Sequence, residues 1–252
     1  MTALTEHTVL YHSGYSLEGK LVHLLIPAAG RGRRMGSDRN KLLLPLMGQP
    51  VLAWTLQAAE RCPDMGRIGI ISQPYDWPDI KQLLDQLSLN TPIDLIQGGE
   101  TRQESVYNGL EALPDSATHV LIHDGARCLA TPALFTRCAQ ALQTCSGFVA
   151  AVPVKDTIKV VAPSTRQIAS TPDRQHLWAA QTPQGFELSQ LRQCHDRGKA
   201  QQWSVTDDAA LFERCGLPVQ IVEGEETNLK ITTPMDLAIA TFILQQRHGQ
   251  EQ

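Results

Sequence analysis

Apolar and polar residues follow one another along this chain in blocks that predict strands and helices in alternation. Short apolar runs bounded by glycine, proline or polar residues are typical of buried strands, and longer stretches rich in helix formers are typical of helices. The predicted strands are Leu24–Ile26, Arg67–Ile71, Ile93–Ile96, His119–Ile122, Phe148–Val154 and Val219–Val222. The predicted helices are Pro50–Arg61, Pro78–Leu89, Glu104–Leu113, Pro132–Thr144 and a last one from Thr233-Pro234 to about Arg247. This alternation predicts an α/β fold with a mainly parallel sheet and helices on both of its faces.

One region, Pro153–Pro183, breaks this alternation. Val154–Val161 has the alternating pattern of an exposed strand, and Arg166–Thr171 is its predicted return partner. We therefore expect a β-arm at about residues 154–172 that projects from a domain spanning residues 21–252. Such an arm is either an interface between chains or a plain surface hairpin. Residues 1–20 are polar and are predicted to form a loosely ordered N-terminal extension.

Composition excludes several classes of protein. The length of 252 residues fits one large α/β domain or two small ones, and a net charge of -4 argues against a nucleic-acid partner. No apolar run approaches the roughly 20 residues that span a bilayer, so no membrane association is expected. The six cysteines lack C-x-x-C spacing. Reduced thiols and a cytoplasmic location are the resulting interpretation.

The stretch Leu24–Lys41 carries the clearest chemical signal. Its apolar start leads into a loop with three glycines, five cations and a single acid. Glycines let the backbone approach a ligand, and clustered cations with backbone N–H groups bind large anions. The G-x-G-x-x-x-G spacing fits neither the dinucleotide fingerprint nor a Walker loop. A polyphosphate site is therefore predicted; the alternative is a solvated basic loop.

Polar residues also follow the other predicted strands, where ligands of parallel sheets bind. Gln97–Ser105 contains two glycines and Ser105, and it is equally compatible with a plain turn before a helix. Asp124 is expected to hold Mg²⁺ or a ligand hydroxyl, although an ion pair with Arg127 is the alternative. Lys230 is either a phosphate ligand or a solvated lysine. On spacing alone, Thr206 is interpreted as a helix cap rather than as a site residue.

Two further patterns carry little catalytic signal. His119 and His123 lie on one face of a strand, where buried histidines are expected rather than a metal pair. No Ser/His/Asp set is recognisable, so nucleophilic catalysis is not predicted.

Taken together, these segments resemble the 2-C-methyl-D-erythritol 4-phosphate cytidylyltransferase family from about Leu21 to Arg247. The resemblance depends on a combination of motifs, none of which would suffice alone. They are Pro27–Lys41, Gly98–Ser105, His123–Arg127, Pro153–Lys159 and Asn228–Lys230. The resemblance implies a Rossmann-like nucleotidyltransferase sheet and transfer of a cytidylyl group from CTP to the phosphate of 2-C-methyl-D-erythritol 4-phosphate. It also implies release of pyrophosphate, use of Mg²⁺ and a homodimer formed through the arm.

The resemblance further implies roles for individual residues. The catalytic set is Arg34, Lys41, Arg174 and Lys230; the nucleotide-binding set is Ala28, Ala29, Gly30, Gly99, Glu100 and Ser105; the substrate-binding set is Asp124, Arg127, Thr157, Thr182 and Thr206. Thr157, Arg174 and Thr182 match positions that serve the acceptor site across a dimer. Asn40 departs from the proline that is common in the family before the lysine.

The expected chemistry needs no strong base, because the acceptor phosphate is already a nucleophile. Fixed cations and Mg²⁺ would stabilise the charge that develops at the α-phosphorus and on the leaving pyrophosphate. Two alternatives stay open. One is a cytidylyltransferase for another polyol phosphate such as ribitol 5-phosphate, and the other is a non-catalytic nucleotide-binding regulator.

Overall fold

A central sheet of eight strands organises the fold. The structure is a computed structural model that describes residues 8–10, 22–29 and 40–250. In order across the sheet, the strands are β1-β6-β5-β2-β7-β11-β8-β12. Their bounds in chain order, with those of two further small hairpins, are β1 Thr8–Leu10, β2 Val22–Pro27, β3 Pro45–Leu46, β4 Gln49–Pro50, β5 Met65–Ser72, β6 Ile93–Gln97, β7 His119–Ile122, β8 Gly147–Pro153, β9 Val160–Val161, β10 Ile168–Ser170, β11 Trp178–Glu187 and β12 Gln220–Glu223.

Seven α-helices of the described residues cover the sheet. They are α1 Val51–Glu60, α2 Trp77–Gln86, α3 Arg102–Ala112, α4 Pro132–Ala141, α5 Leu188–Ala200, α6 Asp208–Arg214 and α7 Pro234–Gln250. Helices α1, α2, α4 and α7 bury apolar residues in one core cluster, and α3, α5 and α6 bury theirs in a second. A sheet whose strands are apolar on both faces needs this double cover. The predicted α/β architecture is confirmed, and most predicted elements match to within a few residues.

Strand direction places the functional end of the sheet. Four of the seven neighbouring strand pairs are parallel, and only β1 and β11 run against the other strands of this sheet. The carboxyl ends of β2, β5, β6 and β7 therefore meet at one edge. The loops after these strands are the ones that sequence analysis selected.

The sequence patterns did not predict two of the longer elements. Strand β11 is the long antiparallel strand between β7 and β8, and α5 follows it directly. Its pattern does not alternate, because Gln181, Thr182 and Gln184 are buried with hydrogen-bond partners. Burial of polar groups in this way depends on partners far along the chain, which periodicity cannot show.

Three differences concern the expected boundaries. Thr8–Leu10 pairs with β6 in the main sheet. This part of the N-terminal extension was expected to lie outside the fold, and the structure places it inside. The arm does form a separate hairpin, but its strands β9 and β10 are shorter than the pattern predicted. In the structure the arm extends to Leu177, whose carbonyl accepts from the backbone N–H of Val154. Thr206 does not cap α6; the side chain of Asp207 accepts from the backbone N–H of Ala210 instead.

Among the helices that the structure describes, none combines the length and apolar character needed to cross a membrane.

Candidate active site

A cavity of about 250 Å³ opens at the carboxyl ends of β2, β6 and β7. Residues from four separate loops and from α3 line it. They are Pro27, Ala28, Ala29, Lys41, Leu42, Gly99, Glu100, Thr101, Arg102, Ser105, Asp124, Gly125, Ala126 and Lys230. Eight of the predicted site residues are in this list, namely Ala28, Ala29, Lys41, Gly99, Glu100, Ser105, Asp124 and Lys230. The cavity thus gathers residues that are up to about 200 positions apart in the chain.

Close packing shapes one side of the cavity. An added Cβ at Gly98 would stand 2.6 Å from the Cβ of Ala29, so only glycine lets the loop after β6 lie against the loop after β2. Within the loop after β6, the backbone N–H of Gly99 donates to Ser105 Oγ at 3.1 Å. Ser105 Oγ in turn donates to the carbonyl of Thr101 at 2.8 Å. Ser105 therefore holds the shape of the glycine loop rather than standing free.

The start of α3 fixes the same loop from its other end. Thr101 is the N-cap, and its hydroxyl accepts from the backbone N–H of Glu104. The Glu104 carboxylate accepts from the backbone N–H of Glu100 at 2.9 Å. This arrangement satisfies N–H groups that a helix start otherwise leaves unpaired, and it orients the backbone of Gly99–Glu100 at the cavity.

Asn40 holds the loop that carries Lys41. Its side chain is buried and donates to the carbonyl of Ala28 at 2.7 Å and to the Asp76 carboxylate at 2.9 Å. Its Oδ1 accepts from the backbone N–H of Leu42. Although Asn40 replaces the proline common in the family, these bonds fix the entry to Lys41.

Lys41 and Lys230 line the same cavity although they are far apart in sequence. Lys41 Nζ donates to the carbonyl of Ile231 at 3.0 Å, which places it beside the residue that follows Lys230. The backbone N–H of Ile231 donates to the carbonyl of Ala126, so the loop is also tied to the segment after β7. Two ammonium groups at one cavity are suited to binding phosphate oxygens.

Asp124 stands at the centre of an ionic group. Its carboxylate is 2.6 Å from Lys230 Nζ and 3.8 Å from Arg102 Nε. Burial disfavours the ionised form of Asp124, but the charges of Lys230 and Arg102 outweigh that effect, so its pKa lies below the usual value. The alternative of an Asp124–Arg127 ion pair is not what the structure shows.

Arg127 instead stabilises the loops around the cavity. Its guanidinium donates to the carbonyls of Asn228 at 2.7 Å and Ala180 at 3.3 Å. The buried amide of Asn228 donates to Thr182 O and Gln181 Oε1. These bonds join the segment before Lys230 to β11.

Thr182 and His123 lie beneath Asp124. Thr182 Oγ1 accepts from the backbone N–H of Asp124 at 3.0 Å and contacts His123 Nδ1 at 3.1 Å. His123 is fully buried, and burial lowers its pKa to about 4. It is a buried histidine with partners, as the sequence predicted, whereas His119 is partly exposed. Within the described ranges, no group of three or more His, Cys, Asp or Glu side chains could hold a metal ion.

The remaining predicted residues fall into two groups. Thr157 and Arg174 lie exposed on the arm and Thr206 lies exposed before α6, and none of the three lines the cavity of its own chain. Gly30 and Arg34, together with the rest of the glycine loop up to residue 39, lie outside the described residues.

Arg102 was missed by sequence reasoning. Its guanidinium lines the cavity and reaches both Asp124 and Asp208. One signal was available, since a cation in the first turn of a helix opposes the helix dipole and therefore calls for another reason to be there.

An α/β sheet with a cation-lined cavity at its carboxyl edge, beside a glycine-rich loop, has the features of a nucleotide-binding enzyme of the α/β class. The comparisons with known proteins agree. The model of the family 2-C-methyl-D-erythritol 4-phosphate cytidylyltransferase (IspD) matches residues 22–246. The chain belongs to this family.

Individual relatives cover most of the chain. The 2-C-methyl-D-erythritol 4-phosphate cytidylyltransferase of Synechococcus elongatus is 70% identical over 226 residues, which is 90% of this chain and 97% of the relative. That of Crocosphaera subtropica is 65% identical over 90% of this chain and 99% of the relative. The crystal structure of 4-diphosphocytidyl-2C-methyl-D-erythritol synthase from Anaerococcus prevotii has a TM-score of 0.81 at 32% identity, and covers 90% of this chain and 100% of its own.

Proposed function

We propose that this nucleotidyltransferase moves the cytidylyl group of CTP onto the phosphate of 2-C-methyl-D-erythritol 4-phosphate, in the synthesis of isoprenoid precursors. The observation that carries the proposal is that Lys41 and Lys230 line one cavity together with the Gly99–Glu100 loop. The negative charges of the CTP triphosphate and the acceptor phosphate have to be neutralised by cations, and the cytosine base needs a separate surface. The cavity of this family member provides the cations and the surface.

The nucleotide would occupy the side of the cavity that is formed by the loop after β2 and the loop after β6. Ala28, Ala29 and Gly30 would bind the ribose and phosphates, and Gly99, Glu100 and Ser105 would hold the base. The close contact between Gly98 and Ala29 supports this division, because it makes the two loops one continuous surface. Backbone groups there recognise a base edge without side chains that move.

The reaction exchanges one phosphorus–oxygen bond for another. An acceptor phosphate oxygen attacks the α-phosphorus of CTP, and the bond from that phosphorus to the bridging oxygen breaks as pyrophosphate leaves with its electron pair. Lys41 and Arg34 would stabilise the charge on the α-phosphate and the leaving group. Lys230 and Arg174 would position the acceptor phosphate, so orientation supplies the rest of the acceleration.

The donor set at the cavity fits Mg²⁺ held mainly by the substrate. Mg²⁺ is commonly bound by one or two carboxylates together with substrate phosphates, and Asp124 is the carboxylate available at this point. We propose that Asp124 would hold it, and that the ion would neutralise part of the triphosphate charge. Thr182 and Arg127 keep Asp124 and the Lys230 loop in place for this role.

The arm is proposed to complete the cavity of a second protomer in a homodimer. It exposes a set of large apolar side chains, namely Ile158, Val160, Val161, Ile168 and, at its return, Trp178. An exposed apolar surface of this kind is typical of an interface. Thr157 and Arg174 lie on the same arm and would meet the acceptor in the partner's cavity; Thr206 is proposed to contact the acceptor as well.

The cellular location stays a prediction. All six cysteines are free thiols in the structure, which suits the reducing cytoplasm that we propose.

Pyrophosphate release tests the proposed reaction. The purified chain, with Mg²⁺, should release pyrophosphate when it is given CTP and 2-C-methyl-D-erythritol 4-phosphate, and much less with ATP, UTP or GTP. Ribitol 5-phosphate as the better acceptor would replace the proposed substrate with another polyol phosphate. No release with any acceptor, although CTP binds, would make the chain a nucleotide-binding regulator.

Mixed dimers test the arm separately. Lys41→Ala and Arg174→Ala proteins should each be inactive or nearly so. When they are mixed and allowed to exchange subunits, one of the two cavities in a hybrid dimer has a native lysine and a native partner arm, so activity should return. Activity that does not return after exchange would contradict the proposed role of the arm across the dimer.

A further inference from the structure

Arg102 has an ionic partner on each side, and only one of them belongs to the cavity. On the cavity side its Nε lies 3.8 Å from Asp124. On the other side its Nη2 lies 2.8 Å from Asp208. The Asp208 side chain is only 2% exposed, so the carboxylate of this second ion pair is buried.

The position of Asp208 is fixed by the start of α6. Asp208 directly follows the N-cap Asp207, whose carboxylate accepts from Gln184 of β11 at 2.8 Å. The buried His195 lies 3.5 Å from the other oxygen of Asp208. A buried carboxylate at a fixed position orients the guanidinium that it binds. Arg102 therefore has an ionic partner that does not depend on what the cavity binds.

Lys230 differs from Arg102 in this respect. Its side chain is 41% exposed and its Nζ is engaged with Asp124 at 2.6 Å. When Lys230 binds the acceptor phosphate, its ammonium would be shared between Asp124 and the phosphate, which weakens its contact with Asp124. Asp124 is 14% exposed, so until Mg²⁺ binds it would then be a largely buried carboxylate with a weakened contact to its closest counter-ion.

We propose that Arg102, held by Asp208, is a positioning residue that remains as the counter-ion of Asp124 when Lys230 binds the acceptor phosphate. The proposal rests on the role of Lys230 proposed above. It gives Arg102 a function in acceptor binding without contact between Arg102 and the acceptor. It also gives the buried Asp208 and His195 a function, namely to hold the Arg102 guanidinium in place at the cavity.

Acceptor binding measured by calorimetry, without CTP or magnesium, tests this proposal. Arg102→Gln should weaken the binding of 2-C-methyl-D-erythritol 4-phosphate by about tenfold, the range expected when a partly buried charge loses its partner. Arg102→Lys keeps the charge and should restore most of the affinity. Asp208→Asn removes the anchor but keeps the shape, and should give a loss in the same direction as Arg102→Gln.

A double substitution separates positioning from simple loss of structure. In an Asp124→Asn background there is no carboxylate to compensate, so adding Arg102→Gln should change acceptor affinity little. An equal loss in the native and the Asp124→Asn backgrounds would overturn the proposal. So would native affinity in Arg102→Gln.

Arg67→Gln is the matched control. Arg67 also forms a partly buried ion pair, with Asp94 at 2.8 Å, but it lies near the amino ends of the strands and far from the cavity edge. It should leave acceptor affinity unchanged, and a loss equal to that of Arg102→Gln would overturn the proposal. Lys230→Ala distinguishes failure of the proposed role of Lys230 from failure of the inference about Arg102. Unchanged acceptor affinity in that variant would remove the proposed role of Lys230, whereas a loss there with none in Arg102→Gln would remove only this inference.

Discussion

The cavity and the arm are built on opposite principles. Around the cavity, charged side chains are held by groups from distant parts of the chain, as Lys41 is by the carbonyl of Ile231. Within the arm, contacts are closer in sequence: Arg174 donates to the carbonyl of Lys155, and Lys159 donates to Thr171. The cavity is therefore fixed by the fold of a single chain, whereas the arm leaves large apolar side chains exposed among the described residues.

This difference shows which functional residues can be oriented by their own chain and which need a second chain. Groups that stabilise developing charge act best when they are oriented in advance, and the sheet edge provides that orientation. Thr157 and Arg174 lack such support, so their proposed function depends on a second chain. The predictions below separate the two regions, beginning with the largest expected effect.

Loss of the Lys41 ammonium should be the most damaging single change. In Lys41→Ala we expect turnover to fall by about 1,000-fold, because one donor to the transition-state charge is worth 10²–10³ in similar sites. The midpoint of thermal unfolding should change little. Pyrophosphate release and a melting curve of the same preparation provide the two measurements.

The control for Lys41→Ala is Lys81→Ala on α2, outside the cavity. That variant should retain nearly native turnover. A Lys41→Ala protein with native turnover would show that the cavity described here is not where the chemistry takes place.

Breaking the apolar surface of the arm should have the second largest effect. Ile168 is 62% exposed, and Ile168→Asp places a charge where the partner chain is proposed to pack. We expect dissociation to a monomer and an activity loss of about 100-fold, because the acceptor would be poorly positioned. Sedimentation and pyrophosphate release, each over a range of protein concentrations, measure the two effects together.

A second exposed apolar residue away from the arm provides the comparison for Ile168→Asp. Tyr75 is 60% exposed beside α2, and Tyr75→Asp should change neither the oligomeric state nor the activity. An Ile168→Asp protein that stays dimeric and active would show that the arm is a plain surface hairpin.

The two regions also differ in how well the sequence predicts them. The cavity loops were located from the sequence because each follows an apolar strand, and the rule that ligands bind at the carboxyl ends of parallel strands needs only the order of elements. The shape inside those loops was beyond reach. The hydrogen bonds of Ser105 with Gly99 and of Asn40 with Ala28 depend on side-chain positions that spacing in the sequence does not give.

Strand β11 and Arg102 show the limit from the other side. Gln181, Thr182 and Gln184 gave no strand signal because polar side chains rarely fill a central strand, yet each has a partner supplied by a distant segment. Arg102 likewise gains its significance only from Asp124 and Asp208, which are far from it in sequence. Periodicity reports burial of apolar groups, whereas these residues are placed by specific polar contacts.

Acid should lower the free energy of unfolding through a buried histidine of the sheet and not through the arm. His23 of β2 is 8% exposed, and burial, together with the charge of Arg67, lowers its pKa to about 4. An unfolded histidine has a pKa of about 6.5, so between these values the unfolded chain binds more protons and stability falls as the pH falls. The neutral histidine's contribution is complete above pH 6.5 and lost towards pH 4.

Replacement of His23 should therefore remove part of the acid sensitivity. From pH 7 to pH 5, we expect the free energy of unfolding of His23→Gln to fall by about 2 kcal/mol less than that of the parent. Urea titrations at the two pH values measure this. The same substitution at His176, exposed on the arm, should leave the parent's pH dependence in place, and equal behaviour of the two variants would contradict the assignment to the sheet.

The smallest effect should come from the loop that is proposed to bind the base. Ser105→Ala removes the acceptor of the Gly99 backbone N–H without creating a clash, since the side chain only becomes smaller. Loss of one such hydrogen bond should raise the KM for CTP by about tenfold and leave kcat and the acceptor KM nearly unchanged. Initial rates with each substrate varied in turn separate these constants, and Ser189→Ala, on the exposed surface of α5, is the control. A change confined to kcat would instead place Ser105 with the groups that act on the transferring phosphate, and would move the boundary between the base loop and the reacting centre.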